Sequence, residues 1–396
     1  HVRDGLKVLI FEQTSNVLEK RLGFRVAEYG LRRVFKRVPD HPLLNGIADE
    51  YLRDWRGGAT ILSPRLDYKL NPSFNGAPTV SWCGIPVTRL WRCGNRGNVA
   101  SVLIEKPARG NFLPILDGGY SLQYSPLIEY REGKGMILFC QMDVTGRTKD
   151  DPAAQTLTRN ILRYVSSWQP APKRNIIYVG DPAGRLHLES AGIILNSYDG
   201  ASLSSDQVLV VGSGGEQRLA TDAANIAKWL KAGGNLLAIG LNDQQVNAFL
   251  PLKVSTKEAE HIAAYFEPFG FNSLLAGVGT ADVHSREPRK LPLVSAGAAV
   301  IGDGVLAKAE SLNVVFCQFV PWQFDYKKLY NLKRTFRRTS YLFTRLLANM
   351  GAAGSTPLLE RIGTPVNVSR AEKRWLEGLY MDVPEEWDDP YRFFRW

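Results

Sequence analysis

The chain has 396 residues, 44% of them hydrophobic and 22% charged, with a formal net charge of +10 at pH 7. This is an ordinary globular composition, long enough for roughly two or three domains. No run approaches the roughly 18 uninterrupted apolar residues of a membrane span. The basic residues are dispersed, and the densest cluster, "KRTFRR" at 333–338, reads as the exposed face of a helix. Nucleic acid is therefore not an expected partner. Four cysteines (Cys83, Cys93, Cys140, Cys317) are too few for a disulfide framework and lack zinc-ligand spacing, so no metal or cofactor is expected.

The chain opens on "HVRDGLKVLIFEQ", with neither an initiating Met nor the layout of a signal peptide. Further on, "TVSWCGIPVTRLWRCGNRGNVASVLIEK" alternates as antiparallel strands do, with "GNRGN" as turn chemistry. "SSWQPAPKR" at 166–174 carries two prolines and reads as a linker. Beyond it, "NIIYVG", "GIILNS", "QVLVVG" and "NLLAIG" are short apolar runs edged by glycine or serine, the pattern of strands buried on both faces of a parallel sheet. Between the last two, Ala223, Ile226, Ala227 and Leu230 form a helical stripe. Thr221 is a cap candidate, and Gly233 can end the helix in the left-handed conformation. Strand, helix and strand at this spacing make a βαβ unit.

Four matches recur in the same order along the two halves. "VRDGLKVLIFEQ" aligns with "LKAGGNLLAIGL", "HPLLNGI" with "NSLLAGV", "ILFCQ" with "VVFCQ" and "LTRNIL" with "FTRLLA". They predict a duplicated domain. The expected fold class is α/β, with two doubly wound, flavodoxin-like domains. The first, 1–168, is N-terminally truncated and carries a β-rich insert at about 59–135; the second spans 174–355. The first copy would begin at a late strand, which makes the chain a fragment by this reading.

The tail, 356–396, has helical potential at "SRAEKRWLEGLY", capped by Ser369, and then becomes extended. It ends on Trp387, Asp388, Asp389, Tyr391, Arg392, Phe393, Phe394 and Trp396. Aromatic rings threaded through charges would bury large area and offer ion-pair partners, so this end is expected to dock as a clasp, on this chain or on a neighbour.

"HPLLNGIADEYLRDWRGGATIL", "DGGYSLQYSPLIEYREGKGMILFCQMDVTGRT", "NVVFCQFVPWQFDYKKLYNLKRTFRRTSYLFTRLLANMG" and "RWLEGLYMDVPEEWDDPYRFFRW" together resemble the C-terminal region of large bacterial multidomain glycoside hydrolases of the family 2, β-galactosidase-like type. The resemblance implies class I glutamine-amidotransferase-like domains with a non-catalytic, oligomerising role. It also implies upstream catalytic and sugar-binding domains as partners, a possible homo-oligomer, and a periplasmic or secreted setting.

No catalytic residue emerges from the chemistry. An amidotransferase needs a cysteine on a glycine-flanked strand-to-helix elbow and a His-x-Glu pair. Cys140 and Cys317 lie inside the apolar runs "LFCQM" and "VFCQF", and the nearest pair, His284 and Glu287, is wrongly spaced. "GSGGE" at 212–216 lacks the full dinucleotide fingerprint and reads as a tight turn. Glu12 stands at a strand end where α/β ligands bind, and its counterpart is Leu241. Acidic residues such as Glu12, Asp117 and Asp143 cannot be paired from sequence. Polar-aromatic clusters such as "RDWRGG" and "RLWRCGNRGN" suit an interdomain interface. Should a sugar or other small ligand bind, Trp55, Arg56, Trp91, Arg92 and Glu12 are the candidates.

Overall fold

The computed structural model describes residues 1–60, 79–82, 85–88, 96–200, 202–364, 366 and 376–383. Its strands are β1 (Lys7–Ile10), β2 (Val26–Leu31), β3 (Phe35–Lys36), β4 (Trp55–Gly58), β5 (Thr79–Trp82), β6 (Ile85–Thr88), β7 (Arg96–Gly97), β8 (Ala100–Glu105), β9 (Asn111–Gly118), β10 (Tyr124–Glu132) and β11 (Gly135–Cys140). A second set follows: β12 (Asn175–Val179), β13 (Leu195–Asn196), β14 (Gln207–Val211), β15 (Asn235–Ile239), β16 (Ser255–His261), β17 (Arg289–Ala296), β18 (Ala299–Ile301), β19 (Leu306–Lys308) and β20 (Asn313–Cys317). The α-helices are α1 (Pro152–Ser167), α2 (Pro182–Ser190), α3 (Gly215–Leu219), α4 (Ala223–Lys231), α5 (Asp243–Asn247), α6 (Lys333–Asn349) and α7 (Leu358–Gly363). The fold is α/β.

The later strands form a sheet of order β13-β12-β14-β15-β20-β19-β18. Its first five strands are parallel, and β19 and β18 close it antiparallel. Alternate residues divide between two cores. Ile176, Val208, Leu237 and Val315 pack beneath α6, whereas Ile177, Leu209, Leu236 and Val314 face Ile226 and Leu230 of α4. Continuous apolar runs are what such doubly covered strands require. Helix α4 starts at Ala223 without a side-chain cap, and Thr221 lies in the 3-10 turn before it. Gly233 takes φ +95°, as its position after the helix predicts.

The earlier sheet has one parallel pair, β1 with β11, and continues antiparallel through β10. β10 also pairs with β9 and, at its first residues, with β8, which carries β2 at its edge. Helix α1 covers one face with Leu157 and Ile161 against Leu138 and Cys140. The other face packs Ile137 and Phe139 against Leu358 of α7 and Leu379. Part of the tail therefore returns to the first sheet within this chain.

The two units repeat individual contacts. Val8 stands beside Ile137 as Leu236 stands beside Val314. Gln141 Nε2 donates to Gln13 O at 2.9 Å, and Gln318 Nε2 donates to Leu241 O at 3.3 Å. Gln13, not Glu12, thus occupies the place of Leu241, and Glu12 falls level with Gly240. The "PLLNG" and "SLLAG" turns are each held by an asparagine. Asn160 Nδ2 donates to Leu43 O and Asn45 O, and Asn349 Nδ2 to Leu274 O and Ala276 O. The sequence match sets Leu346 opposite Asn160, so the second asparagine acts from roughly one helical turn further on.

Helix α6 lies between the sheets, which overturns one expectation. The 333–338 cluster is not an exposed face: Lys333, Arg337 and Arg338 are buried. Arg337 spends its charge on the earlier unit and the tail, Arg338 bonds both Ser121 and His284, and Lys333 lies over the Tyr330 ring. Arg337 pairs with Glu105 at 3.0 Å and with Asp382 at 2.5 Å, and Arg25 reaches Asp382 at 2.8 Å and Glu105 at 3.6 Å. A second buried group joins Arg37 to Asp117 at 2.6 Å and to Asp282, and Lys106 to Asp117 at 2.6 Å. Arg37 Nε also donates to Gly277 O at 2.9 Å, and so does the Tyr341 hydroxyl at 2.7 Å. Buried charges are tolerated only when paired and hydrogen-bonded, so these groups fix one relative placement of the units.

Candidate functional site

In open α/β sheets ligands bind beyond the carboxyl ends of the parallel strands. In the later sheet that crevice is filled from within. The Tyr178 hydroxyl, at the end of β12, lies where a Cβ on Gly184 or Gly180 would stand 2.0 or 2.5 Å from it. The glycines of "VGDPAG" therefore make room for the protein's own phenol, and Trp322 Nε1 donates to Asp181 at 3.3 Å beside it. In "VGSGGE", Gly214 takes φ +80° and a Cβ on Gly215 would meet Val179 O at 2.2 Å. Both glycines are demanded by the strand-to-helix turn.

At the matching end of the earlier sheet, Glu12 accepts from Thr145 N at 2.7 Å and from Thr145 Oγ1 at 2.5 Å. Burial holds the Glu12 carboxyl above its ordinary range despite these bonds, and nearby Asp143 adds to the effect. Asp143 pairs with fully buried Arg147 at 2.9 Å, and Arg147 Nη2 donates to Trp55 O at 3.3 Å and to Gly57 O at 2.7 Å. Glu12 and Asp143 are thus brought together, while Asp117 lies in the Arg37 group. Among the described residues no group of three or more His, Cys, Asp or Glu is placed to hold a metal ion.

The sequence-derived candidates separate. Trp55 is 2% exposed and donates from Nε1 to Tyr51 O at 2.7 Å, so its ring face is closed to a ligand. Arg56 is exposed and its backbone N–H donates to Asp151 at 2.9 Å. Trp91 and Arg92 lie outside the described residues, as do Ser369 and the clasp residues Trp387, Asp388, Asp389, Tyr391, Arg392, Phe393, Phe394 and Trp396. Cys140 and Cys317 are buried strand residues, and burial pushes the thiols up, Cys317 to about 12.

An open cleft of about 780 Å³ lies elsewhere, between the units, where the segment after α1 crosses. Arg131, Tyr164, Trp168, Asn349 and Phe271 are among its walls. Behind it Glu129, fully buried, accepts from Arg131 Nε at 2.6 Å and from the Tyr164 hydroxyl at 2.8 Å. Although burial opposes ionisation, Arg131 and His41 hold this carboxyl well below the usual range. His41 Nδ1 accepts from Leu43 N at 3.2 Å, and its Nε2 stands 3.4 Å from Glu129. Burial lowers its pKa, which leaves a neutral ring between Tyr164 and Phe271. The sequence carried a signal for part of this network. "IEYRE" in β10 alternates, placing Glu129 and Arg131 on one face.

Comparison with known proteins gives little to add. A domain of unknown function, DUF8487, matches residues 120–178. No curated protein matches. Among solved structures, that of PurLQS from Thermotoga maritima matches with 14% identity over 45% of this chain and 99% of that one, at a TM-score of 0.30. That score is too low to argue from. The resemblance to a family 2 glycoside hydrolase is not upheld, since the family model that matches describes a domain of unknown function.

Proposed function

We propose that the chain is a non-catalytic accessory unit, built by duplication, which works as a rigid body and through its surfaces. One observation carries this reading. At the strand ends, where α/β proteins do chemistry, Tyr178 fills one crevice and the Glu12–Thr145 bonds close the other. Among the described residues neither thiol is poised for attack either, because reactivity needs an accessible thiolate and burial raises both Cys140 and Cys317. The buried Arg–carboxylate groups between the units suit a body whose value lies in fixed geometry.

The test is ammonia release from glutamine by the purified chain, with native-state alkylation by iodoacetamide alongside. The reading expects no release and no alkylation of Cys140 or Cys317 before unfolding. Release that disappears in Cys140→Ser or Cys317→Ser would overturn it. A second reading, that the chain also binds a small ligand, is favoured by the open cleft between the units.

A further inference from the structure

We propose that the cleft between the two units binds a ring-bearing phosphate monoester, with the phosphate among Arg131, Arg163 and Lys173 and the ring against Trp168 and Phe271. The inference goes beyond the accessory role and can fail without it. The cleft, about 780 Å³, falls within the roughly 300–1,000 Å³ of small-molecule sites. Its ionisable walls are Arg131, Arg163, Lys173 and Arg174 against the single acid Glu132. Glu132 is already engaged, by Arg3 at 2.6 Å and by the Tyr130 hydroxyl.

Two cations have charge or donors to spare. Arg131 spends Nε on Glu129, but its Nη2 is buried without a hydrogen-bond partner among the described residues. An orphaned buried donor is costly, and a ligand oxygen could satisfy it only by turning the guanidinium, which lies over the Phe271 ring at 5.6 Å, toward the cleft. Beneath the floor, Arg345 makes its three kinds of hydrogen bond to neutral oxygens only: Phe112 O at 2.6 Å, Asn111 Oδ1 at 3.0 Å and Asn349 Oδ1 at 3.1 Å. Asn111 and Asn349 are themselves cleft walls. A buried guanidinium hydrogen-bonded to neutral oxygens adds positive potential behind the cleft, offset in part by the Glu129 carboxylate. Several cations lining one cleft favour a dianion, and a phosphate monoester carries about −1.5 to −2 at pH 7. Arginine forks match its oxygens, and the aromatic walls offer apolar area to a planar ring.

The experiment is calorimetric titration of the whole chain with AMP and with adenosine, the same ring without the charge. Saturable AMP binding is expected, with adenosine weaker by about tenfold or more. Arg163 and Lys173 are exposed, so Arg163→Glu with Lys173→Glu leaves folding intact and is expected to weaken AMP by about tenfold or more. Ser273→Trp, which fills the cleft from the opposite wall, is expected to abolish binding. No saturable AMP heat, or AMP affinity unchanged in both variants, would overturn the proposal. Glutamine hydrolysis, measured separately, bears only on the accessory reading.

Discussion

Asp382 accepts hydrogen bonds from Arg337 Nη2 at 2.5 Å and from Arg337 Nε at 3.0 Å, and so ties the returning tail to the helix between the sheets. Arg25 adds a bond at 2.8 Å from the other side. Removing one member of a buried ion group strands its partners. Asp382→Ala is therefore expected to cost about 3–5 kcal/mol in urea unfolding, and Asp382→Asn a comparable amount.

The same carboxylate makes stability depend on acid. Burial alone would raise its pKa, but Arg337 and then Arg25 outweigh that and hold it at about 2. A folded pKa below the unfolded one gives stability that is present above about pH 4 and lost as pH falls toward 2. This group's share is about 2 kcal/mol. Unfolding free energies measured across that window should fall more steeply in the wild type than in Asp382→Asn.

His187 acts in a higher window. It lies among Trp322, Phe336 and Phe343, its Nε2 has no hydrogen-bond partner among the described residues, and burial lowers its pKa to about 4. The unfolded chain binds this proton near pH 6.5, so the contribution is full above that value and is lost down to about pH 4. The loss is about 3 kcal/mol. His187→Leu should flatten the pH dependence of the melting temperature between those limits; an unchanged slope would place the titration elsewhere.

The turn joining β9 to β10 stores strain. Ser121 and Leu122 take φ +55° and +53°, the left-handed values that hairpin turns normally assign to Asn and Gly. Arg334 donates to the Tyr120 hydroxyl at 2.7 Å, Lys106 to Leu122 O at 2.6 Å, and Arg338 to Ser121 Oγ. Helix α6 thus helps hold the turn. Ser121→Asn, which suits the conformation and keeps an acceptor, should stabilise by about 0.5–1 kcal/mol in thermal or urea unfolding.

The repeated glutamines should not be equivalent. Gln141 serves both Gln13 N, at 2.9 Å, and Gln13 O, whereas Gln318 serves Leu241 O at 3.3 Å. Gln141→Leu would leave two backbone groups unsatisfied and should cost about 1–3 kcal/mol, with Gln318→Leu costing less. Equal losses would show that the two contacts carry the same weight.

Much of the parallel sheet was legible because strands covered on both faces leave unbroken apolar runs. β12, β14, β15 and β20 all carry that mark. "GIILNS" was only partly so, since at the sheet edge just Leu195 and Asn196 pair. The basic face of α6 was misread for a physical reason. Local composition signals exposure, but Arg337 and Arg338 are buried by carboxylates and hydroxyls far away in sequence, which no local pattern announces. Trp55 was read as a ligand candidate, whereas it is buried, and that burial depends on pairing with β7 and packing on the first core. The cleft was invisible for a related reason: its walls come from β10, α1, the crossing segment and the end of α6, and only the placement of one unit on the other brings them together.

That placement is the central claim, and hydrogen exchange read by mass spectrometry across a urea series tests it most directly. Peptides spanning β10–β11 report one sheet and peptides spanning β14–β15 the other. If the buried ion groups weld the units into one body, both sets lose protection at a single urea concentration, and Asp382→Ala separates them. Exchange of one sheet in the wild type while the other stays protected would contradict the account.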